Sequence, residues 1–417
     1  MKTKCLGLFV ALLLACAVST ARSARAEVPT IYNLGTLGGS ASYGYAVNAS
    51  GQVVGYSYTT GDATFHAFLY SGSPGNGGAM ADLGTLGGAS SYGRAINAAG
   101  QVAGYSSTSS GAVHAFLYSG TPGSGGQMAD LGTIGNNSAG LAVNDSGQVA
   151  GASPVFQGAP DRAFLYTGTP GSGGQMVDLG TLSGMASDGF AINASGQVAG
   201  QSSVAPTEVG HAFRYSGQPG SGGAMVDLGT LGGRTSVGWA INASGQVAGA
   251  SQIAGSSANH AFLYTGTPGS GGVMADLGTL GGTNSYGYAI NVSGHVAGYS
   301  DLSDNVTWHA FLYTGTPGAG GQMTDLDAWL DANNPSEGAK WTLNFAEGVT
   351  DTGLITGQGN YNDGPGGLSD GTRAFLLDAS ALVVPEPAGI VMMGIGVAGL
   401  VWWRRGLCNR FAVGEKT

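Results

Sequence analysis

The stretch His260–Gly272, HAFLYTGTPGSGG, has six relatives in a chain of 417 residues, beginning at His66, His114, Arg162, His211, His309 and, cut short, at Arg373. Their spacing is 48 or 49 residues until a last step of 64. A fixed period of that length means one supersecondary unit cast repeatedly, each copy covering the apolar face of the next. Five of the six histidines open these stretches. The question is therefore whether they form a row of ligands or a piece of scaffold.

Working outward from His260, one unit reads VGWAINASG (237–245), QVAGAS (246–251), a loop, HAFLYTG (260–266), TPGSGG (267–272) and VMADLGTLGG (273–282). The apolar runs are four to seven residues long and are bounded by Gly, Pro, Asn or Ser, as strands are. Asn-Ala-Ser-Gly and Thr-Pro-Gly-Ser-Gly-Gly supply the positive φ that tight connections need. Each unit is thus a four-stranded antiparallel meander, A to D, of the size of a β-propeller blade. A parallel β-helix competes but takes shorter repeats.

The ends of the array predict closure. A lone D-type strand begins at Thr30 (TIYNLGTLGG), and the last unit stops on the C-type strand TRAFLLD (372–378). Pairing the two completes a seventh blade and closes the ring without a disulfide. The expected architecture is an all-β, seven-bladed propeller over residues 27–378. The insertion DLDAWLDANNPSEGAKWTLNFAEG, starting at Asp325, predicts a short helix and a loop back to strand A.

Charge and cysteine are segregated. Eight of the 14 Lys and Arg lie in the terminal segments, while 23 of the 24 acids lie between them, giving that body about −17 formal charges. Such a surface repels nucleic acid and anionic lipid. Cys5, Cys16 and Cys408 all lie outside the repeats.

Residues 1–26 have a basic start, an apolar run and Ala-Arg-Ala before Glu27, the pattern of a secretory signal peptide. A lipoprotein signal ending at Cys16 is the alternative. At the other end, a linker (379–387) holds Val384-Pro385-Glu386-Pro387. It precedes 16 uncharged residues (388–403), expected to form one transmembrane helix, and a basic cytoplasmic tail (404–417) opening with Arg404 and Arg405.

This three-part order resembles the PEP-CTERM sorting signal of Gram-negative bacteria. The resemblance implies transient anchoring in the inner membrane, cleavage by an exosortase-like processing enzyme and release to the cell surface or beyond. A permanent single-span anchor is the other reading. Residues 30–378, with His-Ala-Phe, Asp-Leu-Gly-Thr-Leu-Gly-Gly and Asn-x-x-Gly-Gln, resemble the extracellular HAF-repeat family, whose biochemical activity is undefined.

In a propeller, His66, His114, His211, His260 and His309, with Arg162 and Arg373 at the same position, fall on the third strand of different blades. That strand lies roughly 10 Å outside the first, so the side chains cannot share one metal ion. They read as hydrogen-bond donors tying a loop or strand, with Asp82, Asp130, Asp178, Asp227 and Asp276 as candidate partners. Asn48, Asn144, Asn193, Asn242 and Asn291 read as turn residues and not as glycosylation acceptors.

The A-to-B and C-to-D turns, which share one face, barely change between units, whereas the D-to-A and B-to-C loops on the other face are expected to vary, the B-to-C loops being the examples. A ligand site belongs on that variable face. Its candidates stand inside strand A: Tyr45, Arg94, Leu141, Phe190, Trp239, Tyr288 and Glu347. Aromatic rings with one arginine and one carboxylate suit a sugar; filling of the channel mouth is the plain alternative. No cofactor is expected, with calcium at Asp301 or near Asn360 a side possibility, and no metal site is assigned.

There is no nucleophile elbow, zinc motif or phosphate loop. The reading is a non-catalytic, exported surface or matrix protein that contacts exopolysaccharide or protein partners. The alternative is a secreted polysaccharide-modifying enzyme using acidic residues such as Asp188 and Glu347. A purely structural envelope component is a third reading.

Overall fold

The computed structural model describes residues 28–73, 76–364 and 370–383. The expected signal peptide, transmembrane helix and basic tail lie outside them. The described chain forms seven four-stranded antiparallel sheets, six of them consecutive meanders. The seventh contains strands A (Trp341–Val349), B (Leu354–Tyr361) and C (Gly371–Asp378), with Thr30–Asn33 as its outer strand. Thr30 pairs with Asp378 and Asn33 with Phe375, so the two ends of the domain close the ring as expected.

Blades pack because both faces of strand C are apolar. Phe68, Phe116, Phe164, Phe213, Phe262, Phe311 and Phe375 are completely buried. Between blades 1 and 2, for example, Val54, Ala67, Leu69 and Leu83 meet Val102, Phe116 and Tyr118. Between blades 7 and 1 the same pattern places Ala374 and Leu376 against Val53, Phe68 and Tyr70.

Six of the seven apolar seams carry a polar rivet. The Ser91 hydroxyl of blade 2 accepts from the Ala67 N–H of blade 1 at 2.9 Å and donates to the Gly84 carbonyl at 2.6 Å. Ser138, Ser187, Ser236 and Ser285 repeat this bond to the preceding blade at 2.8–2.9 Å. Ser42 makes it across the closure, accepting from Ala374 N at 3.0 Å. These serines are at most 3% exposed, so the alternative to each bond is a buried N–H without a partner.

The A-to-B turns are tied in sequence around the axis. The Asn48 Oδ1 atom accepts from Ser50 N and Gln52 N, while its Nδ2 donates to the Asn97 carbonyl of the next blade at 3.1 Å. The relay continues through Asn97, Asn144, Asn193 and Asn242, and ends with Asn291 donating to Thr350 O. These buried amides explain the asparagine of each turn as an inter-blade tie.

The insertion forms helix α1 (Leu326–Asn333), N-capped by Asp325, whose carboxylate accepts from Asp327 N and Ala328 N, and a short helix α2 (Pro335–Gly338). Leu326 and Leu330 are buried against blade 7. A third short helix, α3 (Ser380–Val383), follows the last strand. Residues 379–383, assigned above to the linker, are therefore part of the folded body: Ala379 N donates to Gly353 O at 2.9 Å and Val383 joins the core. Among the described residues no helix is long and apolar enough to cross a membrane.

The rivets yield a stability prediction. Ser91→Ala should cost about 1–3 kcal/mol by leaving Ala67 N–H unpaired. Ser257→Ala, at an exposed loop position, should stay within about 0.5 kcal/mol of wild type. Urea unfolding of both variants checks the difference, and equal midpoints would count against the rivet.

Candidate functional site

Strand A of every blade contains a register break, and the residue left over at each break points to the axis. The pairing skips between Gly44 and Ala46, between Gly93 and Ala95, and between Gly140 and Ala142. It skips again between Gly189 and Ala191, Gly238 and Ala240, Gly287 and Ala289, and Ala346 and Gly348. The unpaired residues are Tyr45, Arg94, Leu141, Phe190, Trp239, Tyr288 and Glu347. A bulge of this kind re-aims a side chain without ending the strand.

All seven line one axial cavity of about 440 Å³, together with Ala46, Ala95 and Ala142. In six blades a glycine before the bulge leaves room for the neighbouring blade: a Cβ on Gly93 would sit 3.0 Å from the Gly55 carbonyl oxygen. The seven candidates picked from sequence are thus brought together by one backbone feature. The Gly-x-Ala pattern with a variable middle residue was its signature in six of the seven blades.

The wall of the cavity is two-sided. Blades 7, 1 and 2 contribute Glu347, Tyr45 and Arg94, and the Arg94 guanidinium lies 4.1 Å from the centre of the Tyr45 ring, a cation–π contact. Blades 3, 4 and 5 contribute Leu141, Phe190 and Trp239, and Tyr288 of blade 6 packs on Trp239 with ring centres 4.9 Å apart.

Burial raises the Glu347 carboxyl to about 7, against the opposing pull of Arg94 and a hydrogen bond from Gln358. Glu347 is half-buried and lines the cavity. Burial also pushes the Tyr45 phenol up to about 12 and Tyr288 further, so both remain neutral hydroxyls. Asp188 is raised to about 6, first by burial and then by Asp161. It stands two residues before the bulge of blade 4 and is not among the residues lining the cavity, which has Glu347 as its carboxylate.

Above this layer, toward the variable face, lies a second aromatic tier absent from the candidate set. Tyr43 stacks on Tyr56 at 4.6 Å, Tyr92 meets Tyr105 at 4.6 Å, and Phe65 meets Tyr92 at 4.6 Å. On the other side Tyr286 stacks on Tyr299 at 4.8 Å, and Tyr299 meets Phe345 at 4.8 Å. The sequence signal was the tyrosine before the bulge glycine and its cross-strand partner after the glycine of strand B (SYGYA with GYS). Blades 3 to 5 carry Ala139, Asp188 and Val237 at the first of these positions, which opens the tier on that side.

The recurring histidines stand away from the cavity, each within its own blade. The Nδ1 atoms of His66, His114, His211 and His260 lie 2.8 Å from Asp82, Asp130, Asp227 and Asp276, and His309 lies 2.9 Å from Asp325. Arg162 stands 3.9 Å from Asp178. Each of Asp82, Asp130, Asp178, Asp227 and Asp276 also accepts from the glycine N–H two residues on, fixing the D-to-A turn. In blade 7 the pair becomes Arg373 and Asn33: Arg373 donates to Ser40 O at 2.6 Å, and Asn33 accepts from Gly35 N.

Among the described residues no three His, Cys, Asp or Glu gather as metal ligands. Asp304, near the suggested calcium position, accepts from Val306 N and from Thr307 N and Oγ1, bonds that hold its carboxyl down at about 2. Asp301 accepts from Asn284.

Comparison with known proteins adds a sorting signal. The PEP-CTERM protein-sorting motif matches residues 383–405. The match spans Val384-Pro385-Glu386-Pro387, the apolar run and Arg404-Arg405, beginning at the last described residue. Such a signal implies an exported protein with membrane-linked sorting toward the cell surface, and it is of the kind recognised by exosortase-type processing enzymes. No curated protein matches the chain.

The cavity has a pH signature. A carboxyl raised from about 4.5 to about 7 by folding keeps its proton in the folded chain after the unfolded chain has lost it. Glu347 therefore subtracts stability as pH climbs through that window, and the loss is complete above it. Asp188 acts with the same sign up to about 6. In Glu347→Gln the stability gain over wild type should grow between about pH 4.5 and 7 and then level off, read as urea midpoints across that range. A gain independent of pH would contradict the assignment.

Proposed function

We propose that this protein is an exported, non-catalytic binding module of the cell surface or extracellular matrix, and that its axial cavity takes a saccharide unit of an exopolysaccharide. The observation that carries this reading is the convergence of seven bulge residues into one two-sided pocket. Sugar rings present an apolar face that stacks on aromatics and an edge of hydroxyls that needs hydrogen-bond partners. Leu141, Phe190 and Trp239 suit the first, and Arg94, Tyr45 and Glu347 the second.

The sorting signal supports delivery to the compartment where such polymers lie. The repeats, through His-Ala-Phe and Asp-Leu-Gly-Thr-Leu-Gly-Gly, support placing the propeller with the extracellular HAF-repeat proteins. The alternative of a glycoside-cleaving enzyme asks for two carboxylates flanking one bond. The cavity wall supplies one, Glu347, with Asp188 outside the lining, which favours binding over hydrolysis.

Trp239→Ala should abolish retention of the purified propeller on matrix polysaccharide from the producing cells while leaving its thermal midpoint within a few degrees of wild type. Phe156→Ala, at an exposed loop residue, should leave retention unchanged. Retention of the Trp239 variant equal to wild type would overturn the proposal, and release of reducing ends by wild type would favour the enzyme.

A further inference from the structure

We propose that before processing the chain stands on the membrane with the face of the A-to-B and C-to-D turns toward the lipid, and with the aromatic cavity opening away from it. The inference rests on the sorting signal and the topology, and is independent of what the cavity binds.

The exit point is set by strand direction. Strand C of blade 7 runs from the variable face to Asp378, which pairs with Leu354 at the start of strand B, just after the A-to-B turn. The chain then packs on that turn. Ala379 N donates to Gly353 O, and Gly353 is so close to α3 that an added Cβ would lie 2.6 Å from Ser380 Cα and 2.7 Å from Val383 Cγ2. Val383 is 9% exposed. The last described residue is therefore held on the constant face. The N-terminal strand enters at the same end, through Thr30 opposite Asp378.

Only residues 384–387 separate this point from the 16 uncharged residues that begin at Ala388. Four residues span at most roughly 14 Å, shorter than a blade strand of ten residues, so the attached face cannot turn away from the membrane surface.

Charge selects the same orientation. The A-to-B turns and the described C-to-D turns carry two charged side chains, Asp145 and Asp351, each engaged by a backbone N–H of the preceding blade, and the adjoining strand ends add Asp378, which accepts from Ser380 N. The B-to-C loops carry Asp62, Glu208, Asp304, Asp363 and Asp370, with Asp161 and Asp301 at adjoining strand ends. Anionic headgroups repel carboxylates within a Debye length, about 8 Å at physiological salt. The nearly uncharged face tolerates that proximity and the acidic face does not.

The test uses the full unprocessed chain in vesicles of phosphatidylethanolamine and phosphatidylglycerol, with Cys5, Cys16 and Cys408 replaced by serine. A fluorophore is attached at Ser244→Cys in an A-to-B turn or at Ser257→Cys in a B-to-C loop, both exposed positions. Headgroup-linked quencher should quench the dye at position 244 several-fold more than at position 257. Equal quenching at the two positions, stronger quenching at 257, or none at either would overturn the orientation. None of these outcomes bears on retention by polysaccharide, so the two proposals fail separately.

Discussion

The structure depends on a hydroxyl placed where one blade meets the next. The serine of strand A takes the N–H of the alanine in the preceding strand C and gives its proton to a glycine carbonyl of the connecting turn, so one buried group serves two backbone atoms. Five such bonds join consecutive blades, and a sixth, from Ala374 to Ser42, spans 332 positions of sequence. That last bond and the strand Thr30–Asn33 do for the ring what a disulfide does in other closed chains. The repeats, which lack cysteine, are held by geometry alone.

The exception is instructive. At the seam between blades 6 and 7 the serine position is occupied by Leu343, opposite Gly359 in strand B. No hydroxyl is available there, and the insertion supplies a substitute. Helix α1 lays Leu326 and Leu330 on Leu343, Leu312 and Leu377, and the Asp327 carboxylate accepts from Leu343 N at 2.7 Å. The insertion that lengthens the last step of the repeat thus supplies the cover at the one seam where Leu343 stands in place of the serine.

Repetition made the fold legible: a period of 48 or 49 residues, four strand-like runs per period, and unmatched C and D strands at the ends left little room for another architecture. The seven cavity residues were legible for the same reason, since a position that varies inside an otherwise constant strand stands out. What could not be read was the cause, because a bulge is a matter of register between two strands and shows only in their pairing. The upper aromatic tier escaped for a related reason: Tyr43 and Tyr56 look like ordinary strand residues until the pairing sets them opposite each other. The docking of Ala379–Val383 is also not legible, because nothing in those residues announces that they settle on Gly353, 26 or more positions earlier in the chain.

The bulge also explains how one scaffold can keep its stability while its cavity changes. Side chains in the blade seams are buried on both faces of a strand, so altering any of them disturbs two blades. The bulge residue is outside that arrangement: its neighbours on either side, small residues throughout, carry the pairing, while its own side chain enters the axial space. Seven positions are thereby free to differ, and they do so with direction, from Glu347, Tyr45 and Arg94 on one arc to Leu141, Phe190 and Trp239 on the other. A symmetric ring of identical residues would accept a ligand in any rotation about the axis. The two arcs of this ring differ, hydrogen-bonding groups on one and apolar side chains on the other, so the cavity has a direction that a ring of identical residues would lack.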